Sequence, residues 1–253
     1  MRLDQFLVEK GYVESRTLAQ QLISDGYVYL KNSGKILTKS SLLITQDIEN
    51  EIGIKDNPLQ KYVSRGGLKL QLAVEKVSLR VSGLNVLDVG QSTGGFTDYL
   101  LQQNVKSVVG IDVGQSQLAD KIKSNPKVKY FEKLNVKDIA SHKEFVSSVP
   151  RGGFDLIVMD VSFISILKVI LHLKEFLKTN GEFLFLIKPQ FELGAEQLDK
   201  NGVVRHSQLY IGLQEKMTRQ IGDEYGIILN YSLSELPGKD GNQEFFIYGK
   251  KTK

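Results

Sequence analysis

The sequence predicts an α/β fold, a doubly wound sheet preceded by a small α+β module, and three observations carry that expectation. From Asn85 onward, apolar runs of strand length alternate with segments of helical period. One run, Val86-Leu87-Asp88-Val89, leads into Gly90-Gln91-Ser92-Thr93-Gly94-Gly95-Phe96-Thr97, which reads as a glycine-rich strand-to-helix turn. The first 58 residues instead hold two short amphipathic helices followed by strand fragments and turns. A chain of 253 residues is long enough to bury an α/β core and still form one small extra domain.

Composition narrows the functional classes. With 41% hydrophobic and 25% charged residues the chain reads as globular rather than disordered. The longest apolar stretch, Phe163 to Leu173, is interrupted by Lys168 and is too short to span a bilayer. The start, Met1-Arg2-Leu3-Asp4 with Glu9 and Lys10 close behind, lacks the apolar core of a secretory signal, so a cytoplasmic location is expected. There is no cysteine, and His142, His172 and His206 show no ligand spacing, so no metal is expected. The net charge of +4 permits a nucleic-acid partner without requiring one. Its distribution is uneven: residues 1–60 carry seven Lys/Arg against eight Asp/Glu, whereas residues 61–80 carry Lys61, Arg65, Lys69, Lys76 and Arg80 against Glu75 alone.

In the first module Leu3, Phe6 and Leu7 mark one helix, ended near Gly11, and Ser15 caps a second in which Leu18, Ala19, Leu22 and Ile23 share a side up to Gly26. Tyr27 to Leu30 alternates as a strand, Asn32-Ser33-Gly34 turns the chain, and apolar pieces follow at Ile36-Leu37, Leu42-Ile44 and Ile48. The pattern Arg2-Leu3-Asp4, Ser15-Arg16-x-x-Ala19-x-x-Leu22-Ile23-x-x-Gly26-x-Val28 resembles the S-four type RNA-binding domain. That resemblance implies RNA contacts from Arg2, Arg16, Lys31, Lys35 and Lys39, with Asp47, Glu49 and Glu51 facing away from the phosphates.

Gly53 to Pro58 is turn-prone, since Asn57-Pro58 disfavours helix. The division expected is therefore 1–58 for the first module, 59–67 for a linker and 68–253 for the second domain. A helix follows from Leu68 to about Ser78, with Leu68, Leu72 and Val77 inward and Lys69 and Lys76 on a shared face. Strands are expected at Val86–Val89, Val108–Ile111, Val128–Phe131, Leu156–Met159, Phe183–Ile187, Ile227–Ser232 and Phe245–Tyr248. Helices are expected near 95–103, 115–123, 142–148, 165–178 and 207–224, with a turn at Pro237-Gly238-Lys239-Asp240-Gly241 before the last strand.

Ligands of open α/β sheets lie at the carboxyl ends of the strands. The Gly90–Phe96 loop has the form of a ligand cradle, although an ordinary tight turn would read the same. It is not the dinucleotide pattern, and Asp88-x-Gly90 instead suits S-adenosylmethionine, whose ammonium a carboxylate can hold. Asp112, 24 positions on, could reach ribose hydroxyls or simply cap a helix. Asn135 could meet the adenine edge or form a turn, while Asp160 and Lys188 end the fourth and fifth strands.

With these stretches in place the whole chain resembles the TlyA family, which couples an S-four type domain to an FtsJ-like methyltransferase domain and whose members have also been called haemolysins. The matching residues are Ser64-Arg65-Gly66-Gly67-x-Lys69, Asp88-Val89-Gly90-x-Ser92-Thr93-Gly94-Gly95-Phe96-Thr97, Asp160-x-Ser162-Phe163-Ile164-Ser165, Lys188-Pro189-Gln190-Phe191-Glu192 and Gly241-Asn242-x-Glu244-Phe245. The resemblance implies a Rossmann-like, seven-stranded SAM-dependent methyltransferase domain acting on the cytidine 2′-hydroxyl of ribosomal RNA, with a ribosomal subunit or its RNA as partner. It carries the family's Lys-Asp-Lys-Glu tetrad onto Lys69, Asp160, Lys188 and Glu244. Lys188 is then the principal base or the stabiliser of the 2′-oxygen, Asp160 orients it, and Lys69 and Glu244 position the ribose. Asp88, Gly90, Ser92, Thr93, Gly94, Gly95 and Phe96 hold the methionine end of S-adenosylmethionine, Asp112 and Asn135 its nucleoside, and Arg65 adds to the RNA contacts. Two other readings compete: a membrane-lytic protein, and an RNA-binding protein with an inactive methyltransferase fold. Liposome lysis and SAM binding, respectively, discriminate them.

Overall fold

The computed structural model describes residues 1–13, 15–24, 26–55, 61–238 and 241–252. The chain forms two compact units, Met1–Gln60 and Lys61–Lys253. In the first, helices α1 (Leu3–Glu9) and α2 (Arg16–Ser24) precede strand β1 (Val28–Leu30), the short helix α3 (Gln46–Glu49) and strand β2 (Ile52–Ile54), which pairs antiparallel with β1. Ser15 caps α2 as expected, its Oγ accepting the Leu18 N–H at 3.3 Å. Leu3, Phe6, Leu7, Ala19, Leu22, Ile23, Val28 and Ile52 make the core of this unit. Of the turn-prone stretch at 53–58, Gly53 and Ile54 complete β2, and residues 56–60 lie outside the described residues.

The second unit begins with α4 (Arg65–Lys76), three residues earlier than expected, so the end of the supposed linker is helix. Leu70, Ala73 and Val74 turn inward, whereas Leu68, Leu72 and Val77 are half-buried. The rest alternates: β3 (Asn85–Val89), α5 (Gly95–Gln102), β4 (Ser107–Ile111), α6 (Asp120–Lys123), β5 (Val128–Phe131), α7 (Lys143–Ser148), β6 (Phe154–Met159), α8 (Ile166–Ile170), β7 (Leu177–Ile187), α9 (Pro189–Glu192), α10 (Leu209–Tyr225), β8 (Gly226–Leu233) and β9 (Phe245–Lys251). The seven strands lie in the order β5-β4-β3-β6-β7-β9-β8, with only β9 antiparallel to its neighbours.

Both faces of the sheet are covered, which is why its central strands are continuous apolar runs. Leu87, Val89, Ile157, Met159, Phe183 and Phe185 pack under α7, α8 and α10, and Val86, Leu156, Val158, Leu184 and Leu186 under α4 and α5. Each such side chain contributes about 1.5–3 kcal/mol by leaving water. Helix α10 supplies Leu213, Met217, Ile221 and Tyr225, a stripe of period four. No described helix is long and apolar enough to cross a membrane.

Two expected helices are much shorter. Ile166, Val169, Ile170, Leu173, Phe176 and Leu177 have helical spacing and are all buried, but the helix stops at Ile170. A turn and a 3₁₀ segment at Lys174–Phe176 bring the last residues inward, and Leu177 already pairs with Phe154. The period thus foretold burial rather than backbone. The helix expected at 115–123 survives only over Asp120–Lys123, because residues 114–118 form a loop that packs back on Asp112 and Ser92. The turn expected at 237–241 includes Lys239 and Asp240, which lie outside the described residues.

Candidate active site

Strand register brings the expected polar residues into one row. Val89 stands opposite Ile111 and Met159, so one step further Gly90 lies between Asp112 and Asp160. Ile187 stands opposite Phe245, so Lys188 and Glu244 face each other just beyond their ladder. Asp112, Gly90, Asp160, Lys188 and Glu244 therefore cross five adjacent strands at the carboxyl edge of the parallel sheet, with neighbouring strands about 4.8 Å apart. Gly90 is required there: its φ is 82°, and a Cβ would overlap the carbonyl oxygen of Asp160.

The two lysines are each matched to a carboxylate. Lys188 Nζ lies 2.6 Å from Asp160 Oδ1, a charge contact not aligned as a hydrogen bond, and donates its hydrogen bond to Ser162 Oγ at 2.8 Å. Lys69, almost buried on α4, donates to Glu244 in a very short ion pair. Helix α4 reaches the site through a glycine contact. A Cβ on Gly67 would overlap Tyr62 and stand 2.8 Å from the Gly95 carbonyl oxygen, and one on Gly95 would overlap Ser64 Oγ. Val63 N–H donates to Asp98 of α5 at 2.8 Å, and Lys121 pairs with the same carboxylate at 2.9 Å. The segment carrying Lys69 and the helix that follows the glycine loop are thus one packed piece.

Asp88 is buried beneath the loop. Its Oδ2 accepts from Thr97 Oγ1 at 2.6 Å, Gln91 Nε2 donates to that hydroxyl at 2.8 Å, and Oδ1 has no hydrogen-bond partner. Burial pushes the carboxyl up to about 7; the Thr97 hydrogen bond opposes this, and the charges of Asp160 and Asp112 add to it. An orphaned, buried carboxylate oxygen fits a ligand ammonium. Asp112 accepts from Ser92 N–H at 2.7 Å and Gly114 N–H at 2.6 Å, linking the glycine loop to the loop after β4. Ser92 takes φ 49° and its Oγ donates to Gln117 at 3.1 Å. Thr93 holds the start of α6 through its carbonyl oxygen, which accepts from Ala119 N–H at 3.2 Å. Phe96 is buried against Phe246, and Gly94 packs on Leu118. An added Cβ would meet Leu118 at Gly94 and Ser64 at Gly95, so both glycines allow close packing on the side away from their backbone N–H groups.

Asn135 follows Leu134, whose N–H donates to the Asp112 carbonyl at 3.0 Å, and its own Oδ1 accepts from Lys137 N–H at 3.1 Å. Arg65 donates to the Pro237 carbonyl at 3.3 Å. In the first unit Arg2 and Arg16 converge on Asp4, Lys31 donates to the Asn50 carbonyl at 3.2 Å, and Lys35 and Lys39 are exposed. Among the described residues no group of three or more His, Asp or Glu is placed to hold a metal.

Several residues acquire a role only here. Phe163 is 91% exposed with φ 64°, one residue past Ser162, its ring 5.2 Å from that of Phe191. A large apolar side chain in the left-handed region at the mouth of a site is a strained feature. Glu192 accepts from Ser165 Oγ at 2.5 Å and Ile166 N–H at 2.7 Å, tying the loop that carries Asp160 and Ser162 to the turn that carries Lys188. Burial raises its carboxyl above the ordinary value. Val113 is exposed beside Asp112. In the sequence Phe163, Ser165 and Glu192 stand only within the stretches that resemble the TlyA family, with no role attached, and Val113 gives no signal.

Residues 62–251 match the model of the FtsJ-like methyltransferases, and residues 1–42 match that of the S4 domain, the S-four type domain expected above. The chain is 33% identical to the 16S/23S rRNA (cytidine-2′-O)-methyltransferase TlyA of Mycobacterium tuberculosis, covering 98% of this chain and 88% of the relative. It is 36% identical to Hemolysin A of Brachyspira hyodysenteriae, covering 98% and 99%. A solved structure from Streptococcus thermophilus that carries the hemolysin name superposes with a TM-score of 0.75 at 32% identity, covering 100% of this chain and 89% of that one.

Proposed function

The chain belongs to the FtsJ-like methyltransferases, in the TlyA family that adds an S4 domain, and from that premise we propose that it transfers a methyl group from S-adenosylmethionine to a cytidine 2′-hydroxyl of ribosomal RNA, in the cytoplasm and on a ribosomal subunit or its RNA. The observation that carries the reading is the row Asp112, Gly90, Asp160, Lys188, Glu244 across adjacent strand ends, completed by Lys69 from α4. In it one end would hold the nucleoside of the cofactor and the other presents two lysine–carboxylate pairs.

When bound, S-adenosylmethionine supplies a sulfonium methyl already activated toward nucleophiles. The residues that would hold it are Asp88 through its unpartnered oxygen, the 90–96 loop, and Asp112 with Val113 and Asn135 at the nucleoside. What remains for the protein is to align the 2′-hydroxyl and take charge of its proton. Lys188, held by Asp160 and Ser162, stands against the 2′-oxygen, and the Lys188–Asp160 pair receives the proton. Lys69 and Glu244, paired with each other beside Lys188, would position the ribose. Phe163 offers a face on which a base of the RNA stacks.

The test is methylation of separated, unmodified ribosomal subunits and of naked RNA with labelled S-adenosylmethionine, followed by mapping of the product. A 2′-O-methylcytidine is expected. Lys188→Ala should lower the single-turnover rate by at least about 10²-fold with S-adenosylmethionine binding retained. Full turnover by that variant would overturn the assignment of Lys188.

A further inference from the structure

In the first unit α1 and α2 meet over a single carboxylate. Solvent reaches none of Asp4, yet its oxygens face only polar partners: Oδ1 accepts from Arg2 Nε and Gln5 N–H, both at 3.0 Å, and Oδ2 from Arg2 Nη2 at 3.2 Å, Arg16 Nη2 at 3.0 Å and Gln20 Nε2 at 2.8 Å. These donors, Arg2 foremost, hold the carboxyl well below the usual carboxylate range, and Arg2 is raised in turn. The two arginine side chains nevertheless keep 41% and 52% of their surface in solvent. Of the five N–H groups on each guanidinium, Asp4 takes two from Arg2 and one from Arg16.

The lowered carboxyl means that the charged Asp4 also steadies the packing of α1 on α2, but a carboxylate next to Leu3 and Phe6 costs desolvation that an apolar residue would avoid, so stability by itself does not account for an acid here. A negative charge between two arginines also lowers the attraction for phosphate. What it provides is order: two long, rotamer-rich side chains from different helices are held at one spot before any ligand arrives. We infer that Asp4 is a positioning residue that presents Arg2 and Arg16 as a preformed fork to one phosphate of the RNA backbone, an inference that rests on reading this unit as the RNA-binding part of the enzyme. Guanidinium forks suit phosphate oxygens geometrically, and phosphate contacts dominate RNA affinity.

The experiment uses the full chain and filter binding to 16S and 23S ribosomal RNA transcripts between 50 and 200 mM KCl. Asp4→Asn makes the surface more positive, so charge alone predicts tighter binding and a steeper salt dependence. Positioning predicts about three- to tenfold weaker binding, the size of one side chain's ordering entropy, and a salt slope shallower by about one. Arg16→Lys keeps the charge without the fork and decides the matter if Asp4→Asn loosens the helix pair: it should lose most of what Arg16→Ala loses. Unchanged or tighter binding by a folded Asp4→Asn, or wild-type affinity in Arg16→Lys, overturns the inference and leaves the RNA reading standing. Failure of the wild-type chain to bind either RNA overturns both.

Discussion

Asp88→Asn removes a carboxylate that the apo fold prefers to keep protonated, and its consequences can be worked out before any ligand is added. The folded value of about 7 stands against an ordinary 3.8. Because the folded value is raised, the contribution of Asp88 to stability is fully present below about pH 4 and is lost as pH rises through 7. At about 1.4 kcal/mol per pH unit, ionising it in the folded chain costs about 4 kcal/mol by pH 8, of which about 3 kcal/mol accrues between pH 5 and pH 8. An asparagine is neutral throughout. The difference in unfolding free energy between variant and wild type should therefore shift by about 3 kcal/mol in the variant's favour over that interval, read by urea denaturation at pH 5, 6, 7 and 8 without S-adenosylmethionine. The same proton should leave when the ligand's ammonium takes its place, so calorimetry at pH 6 in two buffers of different ionisation enthalpy should record release of about 0.9 proton per S-adenosylmethionine bound. Parallel stability curves within about 0.5 kcal/mol, together with binding that releases no proton, would refute the argument.

Gly67→Ala forces α4 away from α5, because its Cβ has no room between Tyr62 and the Gly95 carbonyl. Urea unfolding should show a loss of about 1–3 kcal/mol, and calorimetry weaker S-adenosylmethionine binding, whereas Gly212→Ala, inside α10 where the Cβ meets nothing, should gain about 0.5–1 kcal/mol from helix propensity and leave binding unchanged. Phe163→Ala removes an exposed ring and should leave stability and S-adenosylmethionine affinity intact while raising the KM for RNA by about tenfold, within the range of one lost base stack; Phe163→Trp should restore it. Glu192→Ala leaves Ser165 and the Ile166 N–H without their acceptor, at a cost of about 1–3 kcal/mol. If the carboxylate aligns the Asp160 and Lys188 loops, single-turnover kcat falls more than KM rises, and Glu192→Gln recovers part of it.

The alternation of apolar runs and helical segments after Asn85 determined the sheet, because strands covered on both faces must be apolar throughout. Asp160 and Lys188 were legible as polar residues closing apolar runs and the Asp88–Thr97 loop as a glycine-rich turn, whereas Lys69 and Glu244 joined them only through the resemblance to the TlyA family. Periodicity failed at 171–177, where residues of helical spacing reach the core through a turn, and at 115–119, where the loop is drawn back through Gln117 onto Ser92 and through Ala119 N–H onto the Thr93 carbonyl. Tertiary structure alone decided the rest. The partners of each lysine depend on strand register and on the approach of α4. Gly67 and Gly95 meet only when two helices 28 positions apart in sequence are brought side by side. Asp4 reads in sequence as one acid on a helix, and becomes the anchor of two arginines only once α1 and α2 have packed. Local pattern reports which residues leave water; which of them touch is set by distances through space that no local pattern contains.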